Sequence, residues 1–197
     1  MEDTIAYFKL NGIGNMRERI FWALNPFKTG KFTKQNGKTI AQQKCELCTK
    51  EKLWGNKQIG QSNNGNWTTL LGEGLVKDWL KLHGYNPHKP NKKDDCPYQV
   101  DWECDNFMAE VKTRNWTTTG TAGEKVFGTM YKYADIPQIY DKPLKIICVA
   151  FQEYELTHCN TKIFNTCSTN QQKMLALAES FGITYVRFSD LILNNSL

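Results

Sequence analysis

The chain has 197 residues, 40% of them hydrophobic, enough for one sizeable core in a single domain or a domain with an appended lobe. Its formal charge of +5 comes from 25 Lys and Arg against 20 Asp and Glu. The excess lies chiefly in the amino-terminal third, a balance that attracts nucleic acid or another anion without identifying it. The opening MEDTIAYFKL lacks a basic stretch leading into an apolar run, and no apolar segment reaches the roughly 18 residues of a membrane span. Neither secretion nor a membrane is therefore expected, and the reading is a cytoplasmic, intracellular protein. Seven cysteines is an odd number, and without a secretory signal they read as reduced thiols or metal ligands rather than as a disulfide framework.

In chain order, Asn15 with Glu18 three residues on is an N-cap signal, and Met16, Ile20, Ala23 and Leu24 share one helical face before Pro26. Segment 27–69 is rich in Lys, Gln, Asn, Gly and Thr with no sustained period, and reads as a long polar loop. Leu75, Val76, Trp79, Leu80 and Leu82 then form an apolar stripe ended by Gly84, predicting a helix over 73–83. A short strand near Tyr85, a polar loop with prolines and a hairpin around QVDWECDNFMAEVK follow. A helix over 123–134 should close before Pro137. The run PLKIICVAF suits a strand buried on both faces, QQKMLALAESFG an amphipathic helix, and ITYVRF a further strand. The sum is an α/β chain with a mixed central sheet flanked by helices, divided into an amino-terminal helix and polar lobe over 1–70 and a core over 71–197.

The hairpin carries the chemistry. With Asp105 and Asn106 at the turn, two residue types that tolerate positive φ, Cys104 opposes Phe107, Glu103 opposes Met108, Trp102 opposes Ala109 and Asp101 opposes Glu110. A four-residue loop keeps the same pairing. Lys112 falls two residues further along the face that holds both carboxylates. Val100, Trp102, Cys104, Phe107, Ala109 and Val111 make the other face entirely apolar, which supports this register over a one-residue slip. Opposed like charges destabilise a sheet by roughly 0.2 to 1 kcal/mol. Lys112, solvent or a divalent cation can relieve them, and an exposed face of Asp, Glu and Lys is ordinarily a solvated surface. A hard cation such as Mg²⁺ prefers one or two carboxylates with water and phosphate oxygens, and an ammonium beside the attacking water can orient it and meet charge developing on a phosphate.

Asp101 followed by Glu110-Val111-Lys112 resembles the PD-(D/E)xK nuclease signature, with Val100 where proline often stands. The element order over 72–153, with EVKTRNW, GTAGEK and KPLKIICVAF, is similar to that of a type II restriction endonuclease. The resemblance implies a restriction-endonuclease-like core with an amino-terminal lobe. It also implies Mg²⁺-dependent hydrolysis of double-stranded DNA at a short sequence, leaving 5′-phosphate and 3′-hydroxyl ends. Asp101, Glu110 and the Val111 carbonyl would be metal ligands and Lys112 would lie near the nucleophilic water. Glu73, at the start of the preceding helix, is the further acid that many members bring to the metal. Cutting both strands of a palindrome implies a two-fold homodimer on DNA. The rival readings are a structure-selective or repair nuclease of the same superfamily and a non-catalytic DNA-binding module organised by zinc.

Thr113, Arg114, Asn115 and Trp116 extend from the same strand and would project toward the duplex, Arg114 to clamp phosphate or read guanine, with Lys125 on the next helix. The segment GQSNNGNW can supply adenine contacts but reads more readily as loop filler. Cys45 and Cys48 form a CxxC, half of a structural Zn²⁺ site, which Cys96, His83 and His88 would have to complete. His158 beside Cys159 points to the opposite face of an extended segment and is no nucleophile pair. GTAGEK lacks P-loop spacing, and Trp79 and Trp102 read as core.

Overall fold

The computed structural model describes residues 14–25, 37–94, 96–117, 123–159 and 162–194. Pro26 and the first half of GTAGEK, residues 120–122, lie outside them, as do the side chains at 14, 15, 123 and 124. Three helices come first: α1 (Gly14–Leu24), α2 (Ile40–Gln58) and α3 (Trp67–Leu82). The hairpin strands β1 (Trp102–Glu103) and β2 (Met108–Arg114) follow, then α4 (Gly123–Lys132) and α5 (Ile136–Tyr140). Next are β3 (Leu144–Ala150), α6 (Phe151–His158), α7 (Thr169–Ser180), β4 (Ile183–Arg187) and α8 (Phe188–Asn194).

The strands form one four-stranded mixed sheet in the order β1-β2-β3-β4, with β1 antiparallel to β2 and both other pairs parallel. Glu110 and Lys112 of β2 stand beside Ile146 and Cys148 of β3, so the candidate residues lie on an interior strand. Side-chain alternation along β2 feeds two separate cores. Ala109 and Val111 join Leu75, Val76 and Trp79 of α3, Ile147 and Val149 of β3, and Phe188 of α8. Met108 joins Leu144, Ile146 and Cys148, with Val126 of α4, Ile136 of α5 and Ala178 of α7, on the opposite face.

The expected hairpin register holds: Trp102 pairs with Ala109, Glu103 with Met108, and the Cys104 N–H donates to the Phe107 carbonyl at 2.9 Å. Neither Asp105 nor Asn106 takes a positive φ, so the connection is the four-residue loop rather than the tight turn. Val100 does not stay on the Trp102 face. The chain bends at Asp101, and Val100 enters the Met108 core.

Segment 27–69 is not one long loop. Among its described residues α2 runs for 19 residues, and α3 begins at Trp67, six positions before the expected start at Glu73. The buried residues of α2 are Glu51, Gly55, Asn56 and Gln58, so polar contacts rather than an apolar stripe hold it down. Glu51 accepts hydrogen bonds from the indole of Trp22 on α1 and from Asn115, Trp116 and Thr117 beyond β2. Arg19 on α1 reaches the Gln58 carbonyl and Asp78 of α3. The proposed boundary at 70/71 therefore falls inside α3, and Met16, Ile20 and Trp22 share a core with the sheet.

The short strand near Tyr85 is a single bridge, His88 opposite Glu103. Pro137 does not merely follow a helix; it sits in the first turn of α5. Ala150 adopts φ 57°, ψ −130°, a sparsely populated conformation for a residue with a Cβ, and turns β3 directly into α6. No helix among the described residues is long and apolar enough to cross a membrane.

Candidate active site

Glu110 is held at the middle of β2 between two neighbours and is only 5% exposed, so it is not part of a solvated surface. Asp101 lies just before β1, where its Oδ2 accepts the Val111 N–H at 2.7 Å and extends the β1–β2 contact beyond the Trp102–Ala109 pair. In a strand the N–H and C=O of one residue point to the same side. The Val111 carbonyl therefore faces the same open edge as Asp101, where the expected backbone ligand is needed.

Both carboxyls titrate abnormally, for related reasons. Burial pushes Asp101 up to about 6, the Glu73 charge pushes it further the same way, and the Val111 N–H, Lys89 and Lys112 oppose the rise. Burial also raises Glu110, followed by repulsion from Asp101, against the pull of Lys112 and Tyr133. Each carboxylate destabilises the charge of a neighbour, as acids gathered at one place must.

Lys112 Nζ stands 2.5 Å from Glu110 Oε1, and the Tyr133 hydroxyl donates to the same oxygen at 3.1 Å. Glu110 Oε2 is buried and has no hydrogen-bond partner. A buried carboxylate oxygen without a donor is costly, and its lone pairs are free to coordinate a cation. Glu73 joins from α3, although from its middle rather than its start. Lys89 Nζ lies 3.7 Å from Glu73 Oε2, 3.8 Å from Asp101 Oδ1 and 4.4 Å above the Trp102 ring. The Trp102 indole in turn donates to the Glu73 carbonyl, which pins the hairpin to α3.

Among the described residues no group of three or more His, Cys, Asp or Glu gathers closely enough to enclose a metal ion. The described residues thus build no closed cage of the structural-zinc kind. The donor set fits Mg²⁺ instead, which takes one or two carboxylates and fills the rest of its shell with water, carbonyl or phosphate oxygens. Asp101, Glu110 and the Val111 carbonyl are the groups that would hold it.

The residues expected to face DNA fare differently. Thr113 is directed against α3: a Cβ on Gly72 would stand 1.7 Å from its Oγ1. Arg114 is 5% exposed, paired with Glu155 of α6 and stacked on Phe151, so its expected role as a phosphate clamp does not suit its position. Asn115 is turned inward toward Glu51 and Thr117. Lys125 is exposed on the first turns of α4. Cys45 and Cys48 are exposed free thiols on α2, whereas Cys96 is buried against the Tyr98 carbonyl and His83 is stacked on Trp79. The described residues bring no third ligand to the CxxC.

Sequence reasoning missed Lys89, Lys132 and Tyr133. A lysine in a proline-rich loop and a tyrosine after a helix carry no periodic signal, and only the tertiary fold brings them to the hairpin. Comparison with protein-family models, with curated proteins and with solved structures finds no match for this chain.

Proposed function

We propose that this protein is a Mg²⁺-dependent endonuclease of the PD-(D/E)xK type that hydrolyses double-stranded DNA at a short sequence, acting as a homodimer on a palindrome. The observation that carries the reading is the unpartnered, buried Oε2 of Glu110 on the same hairpin as Asp101, whose carboxyl is pushed up to about 6. Two acids that repel each other and lack enough donors are explained by a cation that both are built to share.

Bound Mg²⁺ supplies a Lewis acid that polarises a phosphate oxygen and makes water a better nucleophile. The chain's own residues do the rest. Asp101 and Glu110 are held by the Val111 N–H and by Lys112 and Tyr133, so the ligands are oriented before substrate arrives. Lys112, with its side chain 28% exposed, is open to substrate and meets the negative charge that builds on the phosphoryl group. Water oxygen bonds to phosphorus as the bond to the 3′-oxygen breaks; one water proton goes to that oxygen, which leaves as the 3′-hydroxyl, and the other passes from the new 5′-phosphate to solvent. Lys89 and Lys132 flank the acids and are suited to neighbouring phosphates, as are the exposed Lys50 and Lys57 of α2.

Digestion of a plasmid of known sequence tests this. Discrete Mg²⁺-dependent fragments whose sequenced ends share one motif are expected, and Asp101→Ala or Lys112→Ala should abolish them while leaving DNA binding within a few fold. Smeared products, or cutting of branched DNA only, would favour the structure-selective rival. Absence of any Mg²⁺-dependent cutting on either substrate would overturn the reading.

A further inference from the structure

Glu110 has two oxygens in different circumstances. Oε1 accepts from Lys112 Nζ and from the Tyr133 hydroxyl, while Oε2 has no donor. Tyr133 is 2% exposed, lies just beyond α4, and meets Tyr98 edge to face at 6.0 Å between ring centroids. Lys132 Nζ stands 3.0 Å from the Tyr133 hydroxyl oxygen and above both rings. An ammonium donates and never accepts. The Tyr133 oxygen therefore receives a hydrogen from Lys132, and its own hydrogen is left to Glu110. The chain Lys132 to Tyr133 to Glu110 runs in one direction only.

We propose that Tyr133 is a positioning residue for the cation site: together with Lys112 it fills Oε1 and so holds Glu110 in the orientation that leaves Oε2 for a divalent ion. The assignment rests on the acid pair being that site. Without the hydroxyl, Lys112 alone holds Oε1, and the carboxylate is free to rotate and offer either oxygen to the lysine. Outer partners that fix a ligand's orientation typically change metal affinity by about 10- to 100-fold. Tyr133 touches neither substrate nor ion in this role.

Calorimetric titration of Mn²⁺ into the wild-type protein, Tyr133→Phe and Lys132→Met separates the possibilities. Tyr133→Phe keeps the ring and its packing, so its unfolding temperature in chelator should stay within about 2 °C of wild type. Its Mn²⁺ affinity should fall by about 10- to 100-fold, and cleavage should need correspondingly more Mg²⁺ and recover toward the wild-type rate at saturation. Lys132→Met, a change at an exposed position that removes the ammonium donating to the Tyr133 oxygen, should weaken Mn²⁺ severalfold in the same direction, and it carries the test where Tyr133→Phe does not fold. Unaltered Mn²⁺ affinity in the folded variants overturns the role of Tyr133 and leaves the nuclease reading intact. A wild-type protein that binds no Mn²⁺ overturns the cation site and the positioning role with it.

Discussion

Glu51 and Glu110 are both carboxylates withdrawn from water, at 0% and 5% exposure, and their surroundings differ in kind. Around Glu51, five donors converge on two oxygens: the Trp22 indole, the N–H groups of Trp116 and Thr117, the Thr117 hydroxyl and the Asn115 amide. Those donors come from α1 and from the segment after β2, so the carboxylate is a joint between elements. Around Glu110 two donors crowd one oxygen and the other has none, while Asp101 adds repulsion. A buried charge whose lone pairs are filled supports the fold. One left half filled beside a second acid costs stability, and under the proposed function it is the one kept for a ligand.

The same substitution at the two places should therefore have opposite effects. Glu110→Gln replaces Oε2 by an amide nitrogen where no donor stands in the way, so the protein should fold as well as wild type or slightly better. Its Mg²⁺-dependent cleavage should fall by at least about a thousandfold, the scale of losing a major electrostatic group. Glu51→Gln sets an amide NH₂ against converging donors and should cost about 3 kcal/mol of stability in denaturant unfolding. Cleavage by the fraction that remains folded should be altered far less. Equal stability losses at the two sites would erase the distinction.

The pH dependence of stability sharpens it further. Asp101 has a folded value near 6 against 3.8 for the unconstrained group, so the folded state binds its proton more tightly than the unfolded state. This contribution is full below pH 3.8, declines as pH rises between the two values, and is gone above about 6. In chelator, thermal unfolding should thus show stability fading as pH rises across that window. Adding Mg²⁺ at neutral pH should restore part of it, because the ion favours the ionised pair that only the folded chain assembles. A flat profile with no Mg²⁺ effect would contradict the account of the acid pair.

Packing behind the site offers the smallest test. The missing Cβ of Gly72 is what lets α3 approach β2, since it would stand 1.7 Å from Thr113 Oγ1. Gly72→Ala should cost about 1 to 3 kcal/mol, and adding Thr113→Ser, which does not remove the hydroxyl, should relieve less of that loss than Thr113→Ala.

Much of this was legible in the residues. Alternation fixed the register of Trp102 on Ala109 and the common face of Glu110 and Lys112, because a slip would have driven acids into the apolar core. The run Leu144–Ala150 announced a strand buried on both faces. α2 escaped notice because it buries Glu51, Asn56 and Gln58 rather than an apolar stripe. Its start was nevertheless signalled by Thr39 with Gln42 three residues on, the reciprocal capping box that the structure contains. Arg114 read as a phosphate clamp because nothing local foretells that Ala150 turns the chain at once into α6 and delivers Glu155 beneath it. The acids and Lys112 were visible as sequence, but the way Glu110 is filled at one oxygen and left bare at the other depends also on Tyr133 arriving from beyond α4, which no window of residues contains.

Titration of Mn²⁺ into the wild-type and Glu110→Gln proteins at neutral pH, both shown to be folded, tests the central claim most directly. One divalent-ion site in the wild type, lost or weakened by two or more orders of magnitude in the variant, is the predicted result. Identical isotherms, or no heat of binding from the wild type, would mean that the acid pair does not share an ion.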